Sequence, residues 1–291
     1  MEINFCKNRI NLIHSFGISR SSNDYYDIIY VYILDGDIIA RGEAAPSKRY
    51  HESTELILSV LKKGLNLPES SSSKEHLWNF LKPQLKGISS LEAAVNMAVW
   101  DWSAQIEKVP LFKLFGFKDE ILPKTSYTIA IGNLNELDKR LEESEQCSIL
   151  KVKLGTPDND KEIISRIRKK TDKLIRIDAN EGWDYEMAKS MAFWLADRNV
   201  EFIEQPFPAI NLKDTKKLKS ISPLPLIADE NSISSTDLNG LVDCFDGINI
   251  KLMKCGSFDE ALKMIGLAKK LKFKIMLGCM VESSVGITAA A

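Results

Sequence analysis

The most constraining feature of this sequence is a series of six polar residues, each at the end of a short apolar run. They are Lys153, Asp178, Glu204, Asp229, Lys251 and Cys279. Successive members are about 22 to 28 residues apart, roughly the length of one strand plus one helix in a (β/α) barrel. Because the strand ends of such a barrel surround one mouth, the series predicts a single catalytic centre with carboxylates flanked by lysines.

The second part of the chain has the pattern of a parallel α/β fold. From Lys124 onward, apolar strand-like segments alternate with amphipathic helical segments, as in βαβ units. We predict seven strands, near residues 126–131, 149–155, 174–180, 201–205, 226–230, 247–253 and 274–280. Residues 121–291 are therefore predicted to form a (β/α) barrel.

Residues 1–120 have a different pattern and are predicted to form a small α+β domain. Alternating stretches near 28–34 and 37–41 are separated by Asp35 and Gly36, which is a hairpin turn signal. Helical periodicity follows at 52–65, 74–85 and 90–105.

Strand alternation aims charged groups into the barrel. In the segment ILKVKLG the apolar residues share the outer face, so Lys151 and Lys153 point inward. The same argument places Asp178 and Lys251 inside. Buried charges cost free energy unless they are paired or bind a metal, so a functional site is indicated.

The three carboxylates Asp178, Glu204 and Asp229 are hard oxygen ligands of the kind that Mg²⁺ prefers. Zinc is disfavoured because all three histidines precede the barrel half. Lys153 and Lys251 lie on opposite sides of the carboxylates and are candidate general bases, since a nearby cation makes an amine release its proton more easily. Lys151 is predicted to be an electrostatic partner of its neighbour or of a substrate carboxylate.

Composition excludes some classes of partner. A formal net charge of −1 gives no electrostatic reason to bind nucleic acid or an anionic membrane. No run approaches the ~18 apolar residues of a membrane span. The five cysteines form no C-x-x-C pair, which favours a reducing, cytoplasmic location.

Five ordered motifs resemble the enolase superfamily, in the branch that contains muconate cycloisomerases, o-succinylbenzoate synthases and dipeptide epimerases. They are LKVKLG at 150–155, RIDANEGW at 176–183, EFIEQP at 201–206, LIADEN at 226–231 and INIKLMKCG at 248–256. The resemblance covers nearly the whole chain. It implies a modified TIM (β/α)7β barrel with an N-terminal α+β capping domain.

The resemblance also implies a reaction. Members of this superfamily abstract the proton α to a carboxylate and stabilise the resulting enediolate with magnesium. Carried over to this sequence, Asp178, Glu204 and Asp229 would bind Mg²⁺, and Lys153 and Lys251 would form the acid/base pair. Two polar residues, Asn180 and Glu230, would lie next to these metal ligands without binding the ion themselves.

Within the branch the sequence is most similar to the dipeptide epimerases. The similarity lies in MLGCMVESSVGIT at 276–288, in YTIAIG with Thr128, and in FGISRSS at 16–22 with Arg20. In the family this early segment is a mobile loop that closes over the site. The expected activity is epimerisation of dipeptides such as L-Ala-L/D-Glu by 1,1-proton transfer. Candidate substrate contacts are Arg20, Thr128, Lys151, Cys279 and Glu282.

One departure from the family leaves alternatives open. Dipeptide epimerases carry an Asp-x-Asp motif on an eighth strand, whereas this sequence ends at Ala291 in the helix after the seventh. We therefore expect the eighth strand to be missing from this chain. The alternatives are cycloisomerase or o-succinylbenzoate synthase activity at the same site, or a non-catalytic homologue. The family also implies a homo-oligomer.

Overall fold

A computed structural model describes residues 1–19, 21–69, 73–117, 124–156 and 158–291. The strands are β1 (Glu2–Ile18), β2 (Ser21–Asp35), β3 (Ile38–Ala44), β4 (Tyr127–Ile129), β5 (Ile149–Lys153), β6 (Leu174–Asp178), β7 (Val200–Glu204), β8 (Leu226–Ala228), β9 (Gly247–Ile250) and β10 (Lys274–Leu277). The α-helices are α1 (Thr54–Leu61), α2 (Lys74–Leu81), α3 (Ser89–Glu107), α4 (Leu111–Leu114), α5 (Leu137–Glu143), α6 (Asp160–Lys170), α7 (Tyr185–Ala196), α8 (Leu212–Lys219), α9 (Leu238–Leu241), α10 (Leu252–Cys255), α11 (Phe258–Lys270) and α12 (Ser284–Ala290).

The N-terminal part contains an antiparallel sheet in the order β1-β2-β3. The predicted hairpin turn is confirmed, because Asp35 pairs with Ile38 across Gly36 and Asp37. The sequence analysis did not identify β1. That strand is exposed over much of its length, so its apolar residues do not mark one buried face as clearly as those of β2 do.

The second sheet is parallel and has the strand order β10-β9-β8-β7-β6-β5-β4 among the described residues. All seven predicted strands are present, with ends up to a few residues shorter than predicted. The sheet curls with helices on its outer side, which is the modified TIM-barrel architecture expected from the sequence. In-register pairing sets Lys153 beside Asp178, and Asp178 beside Glu204.

Apolar residues on the outer face of the barrel strands form its core with the surrounding helices. Leu150 and Val152 of β5, and Leu154 directly after it, are fully buried in one cluster with Ile164 and Ile167 of α6. Because alternate residues point to opposite faces, this packing directs Lys151 and Lys153 to the interior.

Helix α3 joins the two parts of the molecule. Its residues Met97 and Trp100 belong to the barrel core, whereas Ala98 and Trp102 belong to the core beneath the antiparallel sheet. A helix with two apolar faces is buried on both, and this burial ties the N-terminal sheet to the barrel.

Two further expectations concern the chain as a whole. The predicted boundary between residues 120 and 121 lies within 118–123, outside the described residues. None of the described helices is both long and apolar enough to cross a bilayer.

We predict that Gly42→Ala destabilises the fold. Gly42 of β3 lies so close to α3 that an added Cβ would sit 1.8 Å from the backbone oxygen of Ala94. Overpacking against backbone costs about 1–3 kcal/mol, to be measured by urea unfolding. The control is Gly266→Ala in α11, where no atom lies within 4 Å of the new methyl group and helix propensity favours alanine. Equal stability of the two variants would contradict the prediction.

Candidate active site

Three carboxylates meet at the C-terminal ends of neighbouring strands. Asp178 and Glu204 are the last residues of β6 and β7, and Asp229 follows β8 directly. One oxygen from each lies within 4.8 Å of the others, and all three residues are almost completely buried. The strand register therefore brings together the three ligands that the sequence predicted.

Four lysine ammonium groups in the described part of the chain contact these carboxylates. Lys153 Nζ donates to Asp178 Oδ2 at 2.6 Å. Lys151 Nζ lies 3.0 Å from Asp178 Oδ2 and 2.6 Å from Glu204 Oε2. Lys251 Nζ donates to Asp229 Oδ2 at 2.6 Å, and Lys254 Nζ donates to Asp229 Oδ1 at 2.7 Å. The buried negative charges are thus compensated by buried positive ones.

The cluster fits a divalent cation with oxygen ligands. Glu204 Oε2 accepts no hydrogen bond from any described residue, although the charge of Lys151 lies close to it. A buried carboxylate oxygen that is paired only with an ammonium group, beside two more carboxylates, is a suitable ligand for Mg²⁺. Asp178, Glu204 and Asp229 would hold the ion.

A further layer of polar groups orients the carboxylates. Asn249 Nδ2 donates to Glu204 Oε1 at 2.7 Å, and the backbone N–H of Asn180 donates to Asp178 Oδ1 at 3.0 Å. Gln205 Oε1 accepts from the backbone N–H of Asp229 at 3.0 Å. Glu230 is buried beside the site, where its negative charge raises the pKa of Lys251.

Sequence reasoning did not assign a role to Gln205, Asn249 or Lys254. Asn249 lies two residues before the inward-facing Lys251, so strand alternation places it on the inner face, where it can reach Glu204 across the interior. Lys254 belongs to the quoted motif INIKLMKCG, but nothing in its spacing shows that the short helix α10 folds its side chain back under Asp229.

The charges shift the pKa values of the carboxylates in different directions. Burial disfavours the ionised form of Asp178, but Lys151 and Lys153 outweigh burial and hold its pKa below the usual range. Asp229 is likewise held well below its usual pKa, against burial, chiefly by Lys251 and Lys254. Burial and the charge of Asp178 raise the pKa of Glu204. Glu204 is therefore the ligand with the least compensated charge.

The neighbouring carboxylates decide the direction in which the pKa of Lys251 shifts. Burial lowers the pKa of Lys251, but the charges of Asp229 and Glu204 outweigh burial and raise it. The expected lowering assumes a bound cation that neutralises these carboxylates, so it stays a prediction for the cation-bound site. Burial also lowers the pKa of Lys151, but the charges of Asp178 and Glu204 outweigh burial and raise it. For Lys254, burial outweighs the neighbouring charges and lowers the pKa.

The predicted substrate contacts fall around the mouth. Thr128 pairs with Lys151 across β4 and β5 and so shares its inner face. Cys279 is exposed just after β10. Burial and the charge of Glu43 raise the pKa of the nearby Glu282 carboxyl to about 7, although the backbone N–H of Met280 opposes this. Arg20 lies outside the described residues.

The N-terminal part makes direct polar contacts with this mouth. At the tip of the β1–β2 hairpin, Ser19 Oγ donates to the backbone oxygen of Asn180 at 2.7 Å, and the ring of Phe16 lies 5.9 Å from Lys153 Nζ. The Glu43 carboxylate accepts from the backbone N–H groups of Ser283, at 2.8 Å, and Gly286, at 3.2 Å. In the segment that the family resemblance implies to be a loop over the site, residues 16–18 pair with residues 21–23.

Fold and site together define a (β/α)-barrel protein whose mouth carries an acidic metal-binding cluster between lysines. The chain belongs to the family described as enolase C-terminal domain-like, whose model matches residues 134–291. The resemblance predicted from the sequence motifs is confirmed.

Similar proteins with known activities are epimerases. The chain is 36% identical over 295 residues to an L-Ala-D/L-Glu epimerase of Bacteroides thetaiotaomicron, covering 100% of this chain and 76% of that protein. It is 36% identical over 294 residues to an L-Ala-D/L-amino acid epimerase of Maribacter sp., with 100% and 86% covered. A solved dipeptide epimerase of Cytophaga hutchinsonii, complexed with Mg and D-Ala-L-Val, has a TM-score of 0.88 and 28% identity, with 100% and 83% covered.

We predict that the buried carboxylates make the metal-free protein sensitive to acid. A group with a lowered folded-state pKa stabilises the fold above its unfolded value, ~3.9 for aspartate, and this contribution is lost as the pH falls below that value. Asp178→Asn should therefore lower the free energy of unfolding at pH 7 by about 3 kcal/mol, the usual cost of breaking a buried ion pair. It should also make the loss of stability below pH ~4 smaller than in the wild-type protein. Urea unfolding in EDTA between pH 3 and 7 measures both effects.

The control for this prediction is Asp243→Asn. Asp243 also pairs with a lysine, Lys216, but both side chains are largely exposed. An exposed pair contributes little, so the control should follow the wild-type pH dependence. If the free energy of unfolding of Asp178→Asn falls with pH as steeply as that of the wild-type protein, the prediction is contradicted.

Proposed function

We propose that this protein is a Mg²⁺-dependent epimerase of dipeptides that moves a proton between the two faces of one α-carbon. The observation that carries the proposal is the placement of Lys153 and Lys251. Each contacts a different outer carboxylate of the cluster, Asp178 and Asp229 respectively, with Glu204 between them in strand order. Two amines on opposite sides of one metal site supply what a 1,1-proton transfer needs.

The proton balance of the reaction is simple. One lysine, as the neutral amine, takes the α-proton, and the other, as the ammonium, donates a proton to the opposite face. One C–H bond breaks and one forms, so the substrate keeps its composition and changes only its configuration. Each lysine ends in the protonation state in which the other began, and exchange with solvent resets the pair.

Bound Mg²⁺ would supply positive charge close to the substrate carboxylate, where negative charge develops as the α-proton leaves. Lys151, whose Nζ lies 2.6 Å from Glu204 Oε2, would contribute a second positive charge beside the ion. The dry, buried floor of the site strengthens these interactions. The hairpin tip at Ser19 supports exclusion of water from the Lys153 side.

The substrate contacts remain proposals. Thr128, Lys151, Cys279 and Glu282 would line the dipeptide site, and Arg20 would meet an acidic side chain. Similar proteins are named for L-Ala-D/L-Glu and L-Ala-D/L-amino acid substrates, and we propose the same class of dipeptide here. Cycloisomerase or o-succinylbenzoate synthase activity would use the same metal and lysines, and a panel of the three substrate classes separates them.

The biological setting is also proposed from general features. The five cysteines are free thiols, which supports a reducing, cytoplasmic location. A homo-oligomer is proposed from family membership, and sedimentation of the purified protein would measure it.

We predict that Mg²⁺ stabilises the folded protein. A ligand that binds only the folded state at 100 times its dissociation constant adds about 2.7 kcal/mol of stability. Thermal unfolding with and without Mg²⁺ should therefore show a rise in Tm that EDTA reverses. Asp229→Asn should lose this rise, whereas the exposed Asp243→Asn should retain it. A rise of unchanged size in Asp229→Asn would place the ion elsewhere.

We predict that the two catalytic lysines act on different epimers. General acid–base groups contribute about 10²–10⁴-fold, so Lys153→Ala and Lys251→Ala should each reduce epimerisation of an L-Ala-L-Glu substrate by at least 10²-fold. In D2O each variant should still exchange the α-proton of only one epimer, and not the same one, as followed by proton NMR. Lys263→Ala, at an exposed site on α11, is the control. Full activity in both lysine variants would refute the proposed mechanism.

A further inference from the structure

Lys254 is the most deeply buried of the four lysines at the site. Its side chain is fully inaccessible to solvent. The ammonium donates to three acceptors: Asp229 Oδ1 at 2.7 Å, the backbone oxygen of Asp229 at 2.6 Å and the backbone oxygen of Asn249 at 2.8 Å. Three acceptors match the three N–H donors of a charged lysine and leave none for a substrate.

Lys251 contacts the other oxygen of the Asp229 carboxylate, but within the described part of the chain it makes fewer hydrogen bonds than Lys254 and is more exposed to solvent. It donates to Asp229 Oδ2 at 2.6 Å, and its side chain is 10% exposed. No second acceptor for its ammonium is found among the described residues. Lys251 can therefore leave Asp229 when another cation takes its place, whereas Lys254 would have to break three buried hydrogen bonds.

Lys254 also links two strand ends. Its two carbonyl partners lie at the end of β8 and in β9, and the side chain comes from α10, which begins directly after Lys251. The glycine that ends α10, Gly256, has a positive φ of 79°, which allows the sharp turn that keeps this helix to one turn. The backbone that carries Asp229 is thus fixed to the backbone that carries Lys251.

We propose that Lys254 is a positioning residue that holds Asp229 through Oδ1 and keeps Oδ2 available for the metal when Lys251 swings towards substrate. The inference rests on the proposed function, because it assumes a cation among Asp178, Glu204 and Asp229. It divides the two lysines of the motif INIKLMKCG into a mobile acid/base group and a fixed support.

Two variants test this division, because they remove the same charge from opposite oxygens of one carboxylate. Lys254→Met should weaken Mg²⁺ binding by about 10–100-fold, the usual effect of losing a group that orients a metal ligand. Lys251→Met should leave the affinity unchanged or tighten it, because it removes a competitor for Oδ2. Calorimetric titration of the metal-free full-length chain with MgCl2 measures both, and the Mg²⁺ concentration for half-maximal rate should rise in parallel in Lys254→Met.

The outcomes separate this inference from the proposed function. If both variants bind Mg²⁺ as tightly as wild-type protein, or more tightly, only the removed positive charge affects binding. That result overturns the positioning role of Lys254. Wild-type protein that binds no Mg²⁺ overturns the proposed function and this inference together. If wild-type protein binds Mg²⁺ and Lys254→Met binds it with the same affinity, only the inference about Lys254 is overturned.

A measurement on the wild-type protein covers the case in which Lys254→Met does not fold. The ammonium protons of Lys254 should exchange slowly with water, by nitrogen-15 NMR of lysine-labelled protein, both before and after Mg²⁺ is added. Those of Lys251 should exchange faster once Mg²⁺ is bound. Faster exchange at Lys254 on Mg²⁺ addition would overturn the proposal.

Discussion

The mutual repulsion of three buried carboxylates is the constraint on which the rest of this structure depends. Asp178, Glu204 and Asp229 lie within 4.8 Å of one another at almost zero exposure, an arrangement that would be strongly unfavourable alone. It persists because buried ammonium groups contact all three carboxylates. Lys151 and Lys153 contact Asp178, Lys151 also contacts Glu204, and Lys251 and Lys254 contact Asp229. A cation that takes the centre of this cluster releases Lys153 and Lys251 for chemistry, so the groups that stabilise the metal-free site are the groups that would act on the substrate.

The N-terminal part covers one side of the mouth that holds this cluster. Helix α3 fixes the antiparallel sheet to the barrel through two apolar faces. Polar contacts then bring three of its segments to the mouth. Ser19 donates to Asn180, Arg49 donates to Glu181 at 2.8 Å, and Glu43 accepts from the segment that follows Glu282. The hairpin tip and the catalytic loops are therefore coupled through named hydrogen bonds.

Much of this arrangement could be predicted from the sequence, because strand length and alternation are local properties. The spacing of Lys153, Asp178 and Glu204 followed directly from one strand and one helix per unit. Strand β1 was missed because its burial is interrupted, and the role of Lys254 was missed because it depends on where α10 turns. The direction of the Lys251 pKa shift could not be fixed from the sequence, because it depends on whether a cation neutralises the carboxylates that raise it.

The most direct test is a crystal structure of the protein with Mg²⁺ and a dipeptide such as L-Ala-L-Glu. We predict that the ion lies between Asp178, Glu204 and Asp229. The Nζ atoms of Lys153 and Lys251 should move away from the carboxylates to opposite faces of the C-terminal α-carbon of the dipeptide. An ion bound elsewhere, or both lysines on the same face, would contradict it.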